Sequence, residues 1–173
     1  MTAKEFLNAV GHADVDILQI LLDILQETQT PYCAIGGLAV NAYVEPVVSL
    51  DLDIVAIASN ISAVCKRAES RGLGIEKFSH SINLHSKRSE LRVQIQTDPR
   101  YQDFIPKAAK QTVLGYEMFV ASKEDVLRGK TWAYQDETRR KSKRQKDLAD
   151  IFRLLENHPE LASLLPEAIR KEI

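Results

Sequence analysis

The stretch from Ala34 to Ala58, AIGGLAVNAYVEPVVSLDLDIVAIA, constrains the fold more than any other part of this sequence. It places a Gly36-Gly37 pair after a short apolar segment, then a helical pattern, and then an apolar strand that carries Asp51 and Asp53. Side chains alternate between the two faces of a strand. We therefore expect the two aspartates to share one face and the apolar residues beside them to fill the other.

Two carboxylates on one strand face lie about 6–7 Å apart and repel each other, and each loses hydration when it is buried. A divalent cation would offset both costs. Mg²⁺ binds one or two protein carboxylates and completes its coordination with water and substrate phosphate oxygens. The pattern therefore predicts that Asp51 and Asp53 hold Mg²⁺ or Mn²⁺. For a D-x-D sequence taken alone, the alternative is the solvent face of an amphipathic strand.

Gly36 and Gly37 lie between a predicted strand, Tyr32 to Ile35, and a predicted helix, Leu38 to Val44. Glycine allows the backbone to approach a ligand closely, and the unpaired N–H groups of a helix N-terminus attract phosphate. We therefore predict that both glycines contact phosphate. A glycine pair by itself would indicate only a turn.

The order of strand, glycine turn, helix, loop and D-x-D strand resembles that of the nucleotidyltransferase (DNA polymerase β-like) superfamily. Ser49, two residues before Asp51, also matches the Ser or Thr that commonly precedes the acids in that superfamily. The resemblance implies an α/β (α+β) fold, in which helices flank a mixed β-sheet and a C-terminal helical part closes over a cleft. It also implies a nucleoside triphosphate as substrate.

The rest of the chain predicts elements that would complete such a fold. We expect helices over Asp14–Thr28, Asn60–Arg71 and Ser122–Tyr134, each with its first residue as the N-cap. We expect strands over Ile75–Phe78, Ile82–His85 and Leu91–Gln96, and a pair of strands within Thr112–Val120. Residues 1–121 would form the nucleotidyltransferase-like core, and residues 122–173 a helical part that packs on it as one compact unit.

The strand Leu91–Gln96 departs from the superfamily pattern. The superfamily places a third carboxylate there, beside the two aspartates, whereas this strand offers Arg92, Gln94 and Gln96. A neutral amide can neither neutralise a second metal ion nor act as a base. Asp98, just past the strand, is a candidate replacement. The alternatives are a solvated strand face and a protein that has lost catalysis.

Six of the eight residues from Arg139 to Lys146 are basic, and they precede a predicted amphipathic helix, Asp147 to Asn157. Clustered Lys and Arg can bind a triphosphate or an RNA backbone without reading its sequence. For this role we select Arg140, Lys143, Arg144 and Lys146. The alternative is a solvated charged face, which is the commoner meaning of a charge run.

A lysine in the Ser122–Tyr134 helix, Lys130, and the later K-D-L-A-D sequence extend the pattern. With the glycine pair and S-x-D-x-D, they make the chain similar to the AbiEii/AbiGii-type nucleotidyltransferases, often the toxin halves of bacterial toxin–antitoxin pairs. The resemblance extends from Tyr32 to about Leu155. It implies a catalytic set of Ser49, Asp51, Asp53, Lys130, and either Asp147 or Asp150.

The composition is that of an ordinary globular chain, with 173 residues, 45% apolar and 27% charged. A net charge of −1 excludes a general attraction to nucleic acid or anionic membranes, so any such contact must come from local charge. Cys33 and Cys65 are expected to be buried free thiols. Residues 1–11 lack a signal-peptide pattern and no stretch is long enough to span a bilayer, so we expect a cytoplasmic protein.

Together these features predict an enzyme that moves a nucleoside monophosphate from a nucleoside triphosphate to an acceptor hydroxyl, with Mg²⁺ or Mn²⁺ as cofactor. The expected acceptors are RNA, such as tRNA, or protein, and the toxin resemblance adds an antitoxin protein as a partner. Two alternatives stay open. One is a catalytically weakened nucleotide- or RNA-binding module of the same fold, and the other is a plain protein-interaction domain that uses the helices from Leu154 to Leu165.

Overall fold

A seven-stranded mixed β-sheet forms the centre of the computed structural model, which describes residues 1–173. In chain order the strands are β1 (Tyr32–Ile35), β2 (Asp51–Ala56), β3 (Gly74–Lys77), β4 (Ser81–Ser86), β5 (Ser89–Gln96), β6 (Ala109–Val113) and β7 (Tyr116–Val120). Their order across the sheet is β3-β4-β5-β2-β1-β7-β6. The β2–β5 and β1–β7 pairs are parallel, and the other pairs are antiparallel.

Helices flank this sheet. They are α1 (Ala3–Val10), α2 (Ile17–Glu27), α3 (Gly36–Val40), α4 (Ile61–Ser70), α5 (Lys123–Gln135), α6 (Lys141–Asn157) and α7 (Glu167–Arg170), with 3₁₀ helices at Ala58–Asn60, Pro99–Lys107 and Pro159–Leu164. Helix α2 packs against α4 and β5, whereas α5 packs against α3 and α6. The predicted mixed α/β architecture is therefore confirmed. None of the helices is both long enough and apolar enough to cross a membrane.

The apolar residues form one continuous core. Leu52 and Ile54 of β2 are buried in it, on the face opposite Asp51 and Asp53, as the alternation of the strand predicts. Cys33 and Cys65 are buried free thiols, as expected. Most of the leucines proposed for protein interaction belong to this core as well: Leu154, Leu155, Leu161 and Leu165 are buried, whereas Leu164 is exposed.

One predicted N-cap is wrong, and a second makes no capping bond. Asp16 rather than Asp14 caps α2, with its Oδ1 accepting a hydrogen bond from Gln19 N at 3.0 Å. Asn60 stands at the N-cap position of α4 but makes no capping bond, and its Oδ1 accepts from the neighbouring Ser59 Oγ at 3.1 Å instead. In both places the sequence pattern allowed the cap, and the contacts of each side chain decided whether it formed.

Three helix boundaries also differ from expectation. Helix α3 covers Gly36–Val40 rather than Leu38–Val44, because the Asn41 side chain bonds the N–H and C=O of Val47 at 2.9 Å each and turns the chain towards β2. Helix α6 begins at Lys141, so it contains most of the basic run. Lys and Arg are good helix formers, which explains why the helix extends into the run.

Helix α1 was not predicted, although its sequence carries a recognisable start. Thr2 Oγ1 accepts from Glu5 N at 3.2 Å and Glu5 Oε2 accepts from Thr2 N at 2.6 Å, which forms a capping box. The helix buries only Leu7. The capping box was therefore a sign of this helix that the sequence offered, and the apolar residues of the helix lie on one side.

Candidate active site

The polar face of β2 and β5 forms the floor of a cleft with a volume of about 370 Å³. Helices α5 and α6 and the segment between them form one wall of the cleft, because Lys130, Arg139 and Asp147 all line the cleft. Five basic and four acidic side chains line the cleft. The local charge is therefore slightly positive, which suits an anionic ligand.

One row of side chains crosses the floor of the cleft. Asp53 of β2 is in register with Ile35 of β1 on one side and with Gln94 of β5 on the other, and Gln94 is in register with Asn83 of β4. Residues in register on adjacent strands point to the same face. All four line the cleft, so Asp53 has an apolar neighbour on one side and two carboxamides on the other.

Asp53 is a carboxylate that the protein leaves without a cation of its own. Burial raises the pKa of its carboxyl group, although the charges of Lys130 and Arg139 oppose that shift. Those two cations are bound elsewhere, Lys130 to Asp147 and Asp150, and Arg139 to Asp147. Ionised Asp53 therefore lacks a partner within the protein.

Gly36 lies directly against Asp53. Its φ of +61° lies in the left-handed region, and a Cβ atom on it would stand 2.6 Å from Asp53 Oδ2. Only glycine fits such a position. Gly36 lines the cleft, but Gly37 does not. The structure therefore brings only the first of the two glycines to the place where both were predicted to contact phosphate.

Asp51 lies beside two basic side chains. Its Oδ2 accepts from Lys143 Nζ at 2.7 Å, and its Oδ1 lies 3.2 Å from Arg92 Nη2. Burial works against ionisation of Asp51, but Lys143 and Arg92 outweigh it, so that the pKa of Asp51 is lowered. Asp51 is thus ionised at neutral pH and attaches α6 to β2.

The two strand aspartates fit the chemistry of a divalent cation. They extend from the same face of β2 and both line the cleft. Mg²⁺ takes one or two carboxylates from a protein, and a cation here would supply the partner that Asp53 lacks. No cluster of three or more His, Cys, Asp or Glu side chains could hold a metal ion. A metal at Asp51 and Asp53 would therefore depend on water and substrate oxygens for its remaining ligands.

Lys130 is the centre of a buried ion-pair network between α5 and α6. Its Nζ lies 3.0 Å from Asp147 Oδ1 and 2.7 Å from Asp150 Oδ2. Burial disfavours the charged lysine, but the two carboxylates outweigh this effect and raise the pKa of Lys130. Lys130 therefore stays charged and ties the two helices together.

The other oxygens of the two aspartates are held by arginines. Asp147 Oδ2 accepts from Arg139 Nε, and Asp150 Oδ1 accepts from Arg153 Nη1, both at 2.8 Å. Asp147 lines the cleft and Asp150 does not. The sequence left open whether Asp147 or Asp150 joins Lys130 in the catalytic set. In the structure both aspartates contact Lys130, but only Asp147 lines the cleft.

Only two of the four basic residues that were predicted to bind phosphate have side chains in the cleft. Arg140 and Lys143 line the cleft, whereas Arg144 and Lys146 do not. The Nε of Arg144 donates to a carbonyl in the last turn of α5 at 2.7 Å, and Lys146 Nζ donates to the Oγ of Ser49 at 3.2 Å. Ser49 itself stays outside the cleft lining and accepts a hydrogen bond from the backbone N–H that opens β2, at 3.3 Å.

Asp98 does not replace the missing third carboxylate, so that prediction is wrong. It caps the 3₁₀ helix Pro99–Lys107, where its Oδ1 accepts from Arg100 N at 3.0 Å and its Oδ2 from Arg100 Nη2 at 2.8 Å. It does not line the cleft. Gln94 holds the position in register with Asp53.

Several cleft residues were not among those selected from the sequence, notably Asn83, Tyr101, Asp125 and Arg139. Arg139 could have been found, because it belongs to the basic run. The other three come from separate elements whose local patterns carry no sign of a site. Sheet register and helix packing alone bring them to the cleft.

Comparison with solved structures shows that this fold is similar to that of several nucleotidyltransferases. The solution structure of the antibiotic-resistance factor ANT(2'')-Ia matches with a TM-score of 0.63 and 11% identity, over 90% of this chain and 88% of that one. The lincomycin-bound lincosamide antibiotic adenylyltransferase LnuA matches with a TM-score of 0.55 and 16% identity, over 79% and 95%.

A third neighbour is the Megavirus polyadenylate synthase, with a TM-score of 0.53 and 13% identity, over 82% of this chain and 31% of that one. No protein-family model and no curated protein matches the sequence. At these identities the likeness establishes the fold and leaves the activity to be argued from the site.

Proposed function

We propose that this chain is a nucleotidyltransferase that depends on Mg²⁺ or Mn²⁺ and moves a nucleoside monophosphate from a nucleoside triphosphate to an acceptor hydroxyl. The observation that carries the proposal is the pair Asp51 and Asp53, on one face of β2 in a cleft where basic groups outnumber acidic ones. The shared fold with adenylyltransferases supports it. Residues 1–121 and 122–173 act as one unit, because both contribute to the cleft.

In the reaction, the acceptor oxygen forms a bond to the α-phosphorus, the bond from that phosphorus to the bridging oxygen breaks, and pyrophosphate leaves. The divalent cation supplies charge neutralisation on the phosphate oxygens. Asp51 and Asp53 hold it. This chemistry needs positioning and charge rather than a covalent nucleophile, so the residues of this cleft are sufficient.

The triphosphate is bound by basic side chains of the cleft wall. Arg140 and Lys143 contribute directly, because both line the cleft. Arg139 joins them, with its Nε fixed by Asp147 at 2.8 Å and its two Nη groups free for phosphate. Lys130 and Asp150 position this wall.

The proton of the acceptor hydroxyl leaves to water in the cleft. Asp98, Asp147 and Asp150 were the candidate bases, but each is held by arginine or lysine in ion pairs of 2.7–3.0 Å. Both oxygens of each carboxylate are thus occupied by a lysine or an arginine, so none is free to accept the proton.

RNA, such as tRNA, or a protein is the acceptor, and the excess of basic side chains in the cleft favours RNA. We also propose that the chain is an AbiEii/AbiGii-type toxin with an antitoxin partner. Support comes from the shared motif order and from the contact of Lys130 with both aspartates of the K-D-L-A-D segment. Such a protein works on the nucleotides of the cytoplasm, where the thiols of Cys33 and Cys65 stay reduced.

The decisive experiment supplies the protein with each of four α-labelled nucleoside triphosphates, Mg²⁺ or Mn²⁺, and separate RNA and protein pools from a cell extract. Labelled RNA or protein is expected, and the combined variant Asp51→Ala and Asp53→Ala should yield none. For the toxin role, expression should arrest bacterial growth, and the same variant should not. Equal labelling by that variant would place the activity elsewhere.

A second candidate function follows from one observation, the carboxamide of Gln94 in register with Asp53, where the superfamily has a carboxylate. With that ligand lost, the chain would be a nucleotide- or RNA-binding module. Tight binding of triphosphate without transfer to any acceptor would establish this candidate instead.

A further inference from the structure

Tyr101 is the one tyrosine of this chain whose hydroxyl makes no hydrogen bond within the protein. The other four hydroxyls each share a hydrogen bond with another residue: those of Tyr32, Tyr43, Tyr116 and Tyr134. A buried tyrosine usually finds a partner for its hydroxyl. Tyr101 lines the cleft, and its Oη is not among the buried oxygens that lack a partner. The hydroxyl is therefore open to the cleft, where a ligand can reach it.

Packing fixes the ring of Tyr101 before any ligand binds. Tyr101 is only 7% exposed, and its ring lies edge-on to those of Phe104 and Trp132, with 5.2 Å between the centroids in each pair. Gly129, inside α5, leaves room for this ring, because a Cβ atom there would stand 3.2 Å from Tyr101 Cε1. Glycine destabilises the interior of a helix. The chain thus keeps a costly residue at a position where it gives the Tyr101 ring its place.

The Tyr101 hydroxyl is a hydrogen-bond donor at neutral pH, and charged groups of the cleft lie near it. Burial raises the pKa of Tyr101 to about 12, so the proton stays on the oxygen. The charges of Asp53, in the proposed metal site, and of Arg139 also affect this pKa. Arg139 is fixed through its Nε by Asp147, which leaves its Nη groups free for a ligand. A metal-binding acid, a free guanidinium and an unused donor together suit an anionic oxygen, which only accepts hydrogen bonds.

The two strand aspartates have different surroundings in the cleft. Lys143 contacts Asp51, whereas Asp53 is the aspartate whose charge reaches Tyr101. Phe104, which lies against Tyr101, also lines the cleft, so this end is aromatic. A nucleoside triphosphate has the same order, with charged phosphates at one end, a planar base at the other, and the α-phosphate where they join. When its terminal phosphates reach Lys143, its α-phosphate therefore lies near Asp53 and Tyr101.

We propose that Tyr101 is a catalytic residue whose hydroxyl donates a hydrogen bond to an oxygen of the α-phosphate, the group that is transferred. This inference rests on the proposed transferase function and adds a residue to its site. While the acceptor oxygen bonds to phosphorus and pyrophosphate leaves, Tyr101 neither gains nor loses its proton. Its donor is fixed in place beforehand, so it stabilises charge on the reacting phosphate without reorganisation.

The test measures binding without turnover, by isothermal titration in the presence of Mg²⁺. The 5′-monophosphates of adenosine, guanosine, cytidine and uridine are titrated first. For the base that binds most tightly, the free nucleoside and the α,β-methylene triphosphate analogue follow. Tyr101→Phe removes only the hydroxyl and keeps the ring. It should weaken binding of the monophosphate and of the triphosphate analogue about tenfold each, as expected for a lost hydrogen bond to a charged group, and leave binding of the nucleoside unchanged.

Further measurements separate this contact from a structural role. Tyr101→Phe should leave the melting temperature of the ligand-free protein unchanged, because the hydroxyl has no partner in the protein to lose. The matched control is Tyr134→Phe, at a hydroxyl that bonds Glu172 outside the cleft, and it should bind all three probes as wild type does. In the label-transfer assay, Tyr101→Phe should also slow transfer at saturating triphosphate, because the donor contacts the reacting phosphate.

Two results would overturn the contact: equal affinity of wild type and Tyr101→Phe for the monophosphate, or an equal loss of affinity for the free nucleoside, which would place the hydroxyl against the base or the sugar. The two proposals can fail separately. If no acceptor is labelled but Tyr101→Phe weakens binding of the monophosphate, the contact stands without the transferase. If Tyr101→Phe transfers label at the rate of wild type and binds the monophosphate equally well, the transferase stands without the contact.

Discussion

Lys130 and Asp147 form a buried ion pair, with 3.0 Å between Nζ and Oδ1, that joins α5 to α6. Asp147 also holds Arg139 in the cleft. The packing of the C-terminal helices and the placement of a cleft arginine therefore depend on the same carboxylate.

Lys130→Met should lower the free energy of unfolding by about 1–3 kcal/mol at neutral pH, because Asp147 and Asp150 lose their shared cation while they stay buried and each keeps only its arginine. Urea denaturation measures this. Adding Asp147→Asn and Asp150→Asn to Lys130→Met should restore much of the loss. A cost below about 1 kcal/mol, as for an exposed pair, would show that the network is solvated.

The same pair gives a pH dependence. Because the pKa of Lys130 is raised above its ordinary value of 10.5, its contribution to stability is complete below that pH and is lost as the pH rises through the raised value. Wild type should therefore lose more stability at alkaline pH than Lys130→Met does.

Asp53→Asn should raise the melting temperature of the metal-free protein, because it removes a half-buried negative charge that has no partner within the protein. It should also abolish stabilisation by Mg²⁺ and triphosphate, which for wild type is about 2.7 kcal/mol at a hundredfold excess over Kd. Differential scanning calorimetry with and without ligand separates the two effects. A ligand-induced shift equal to that of wild type would remove Asp53 from the metal site.

Gly36→Ala should destabilise the fold by about 1–2 kcal/mol from its left-handed backbone alone, and should displace Asp53 as well. Gly37→Ala is the matched control, because its Cβ would meet nothing closer than Asp150 Oδ2 at 3.9 Å. Thermal melts and Mn²⁺ binding of both variants check this. Equal thermal stability and equal Mn²⁺ binding of the two variants would contradict the conclusion that Gly36, and not Gly37, must be glycine.

Arg140→Ala and Lys143→Ala should each weaken triphosphate binding by about 10- to 100-fold, the effect of one lost charge-assisted hydrogen bond. Arg144→Ala should leave it unchanged, since that side chain is turned to α5. Isothermal titration at two salt concentrations measures both affinity and its salt dependence. Equal effects at all three positions would mean that the whole run acts as a diffuse charge.

Gln94→Asp should tighten Mn²⁺ binding and raise the rate of transfer at saturating acceptor, because it adds a carboxylate in register with Asp53. It should destabilise the metal-free protein, where two neighbouring acids repel. Mn²⁺ titration by electron paramagnetic resonance and the label-transfer assay test this. Unchanged metal affinity would show that position 94 does not face the metal.

The sequence by itself determined the strand at β2, the common face of Asp51 and Asp53, and the change of chain direction at the glycine pair that begins α3. These features are local, since strand alternation and the conformational freedom of glycine act within a few residues. The mixed α/β class followed from the resemblance of this order of elements to that of a known superfamily. The basic run was also visible in the sequence. The prediction began the helix at Asp147, however, and so left out residues 141–146, which form the first part of α6.

Only the tertiary structure decided which of these residues meet. Lys130 contacts Asp147 and Asp150, Lys143 contacts Asp51 across 92 positions of the chain, and Asp98 is held by its own neighbour Arg100. The row from Asp53 through Gln94 to Asn83 exists because β2, β5 and β4 are adjacent in the sheet. Strand order and register arise from the burial of the whole core, so no local pattern in the sequence specifies them.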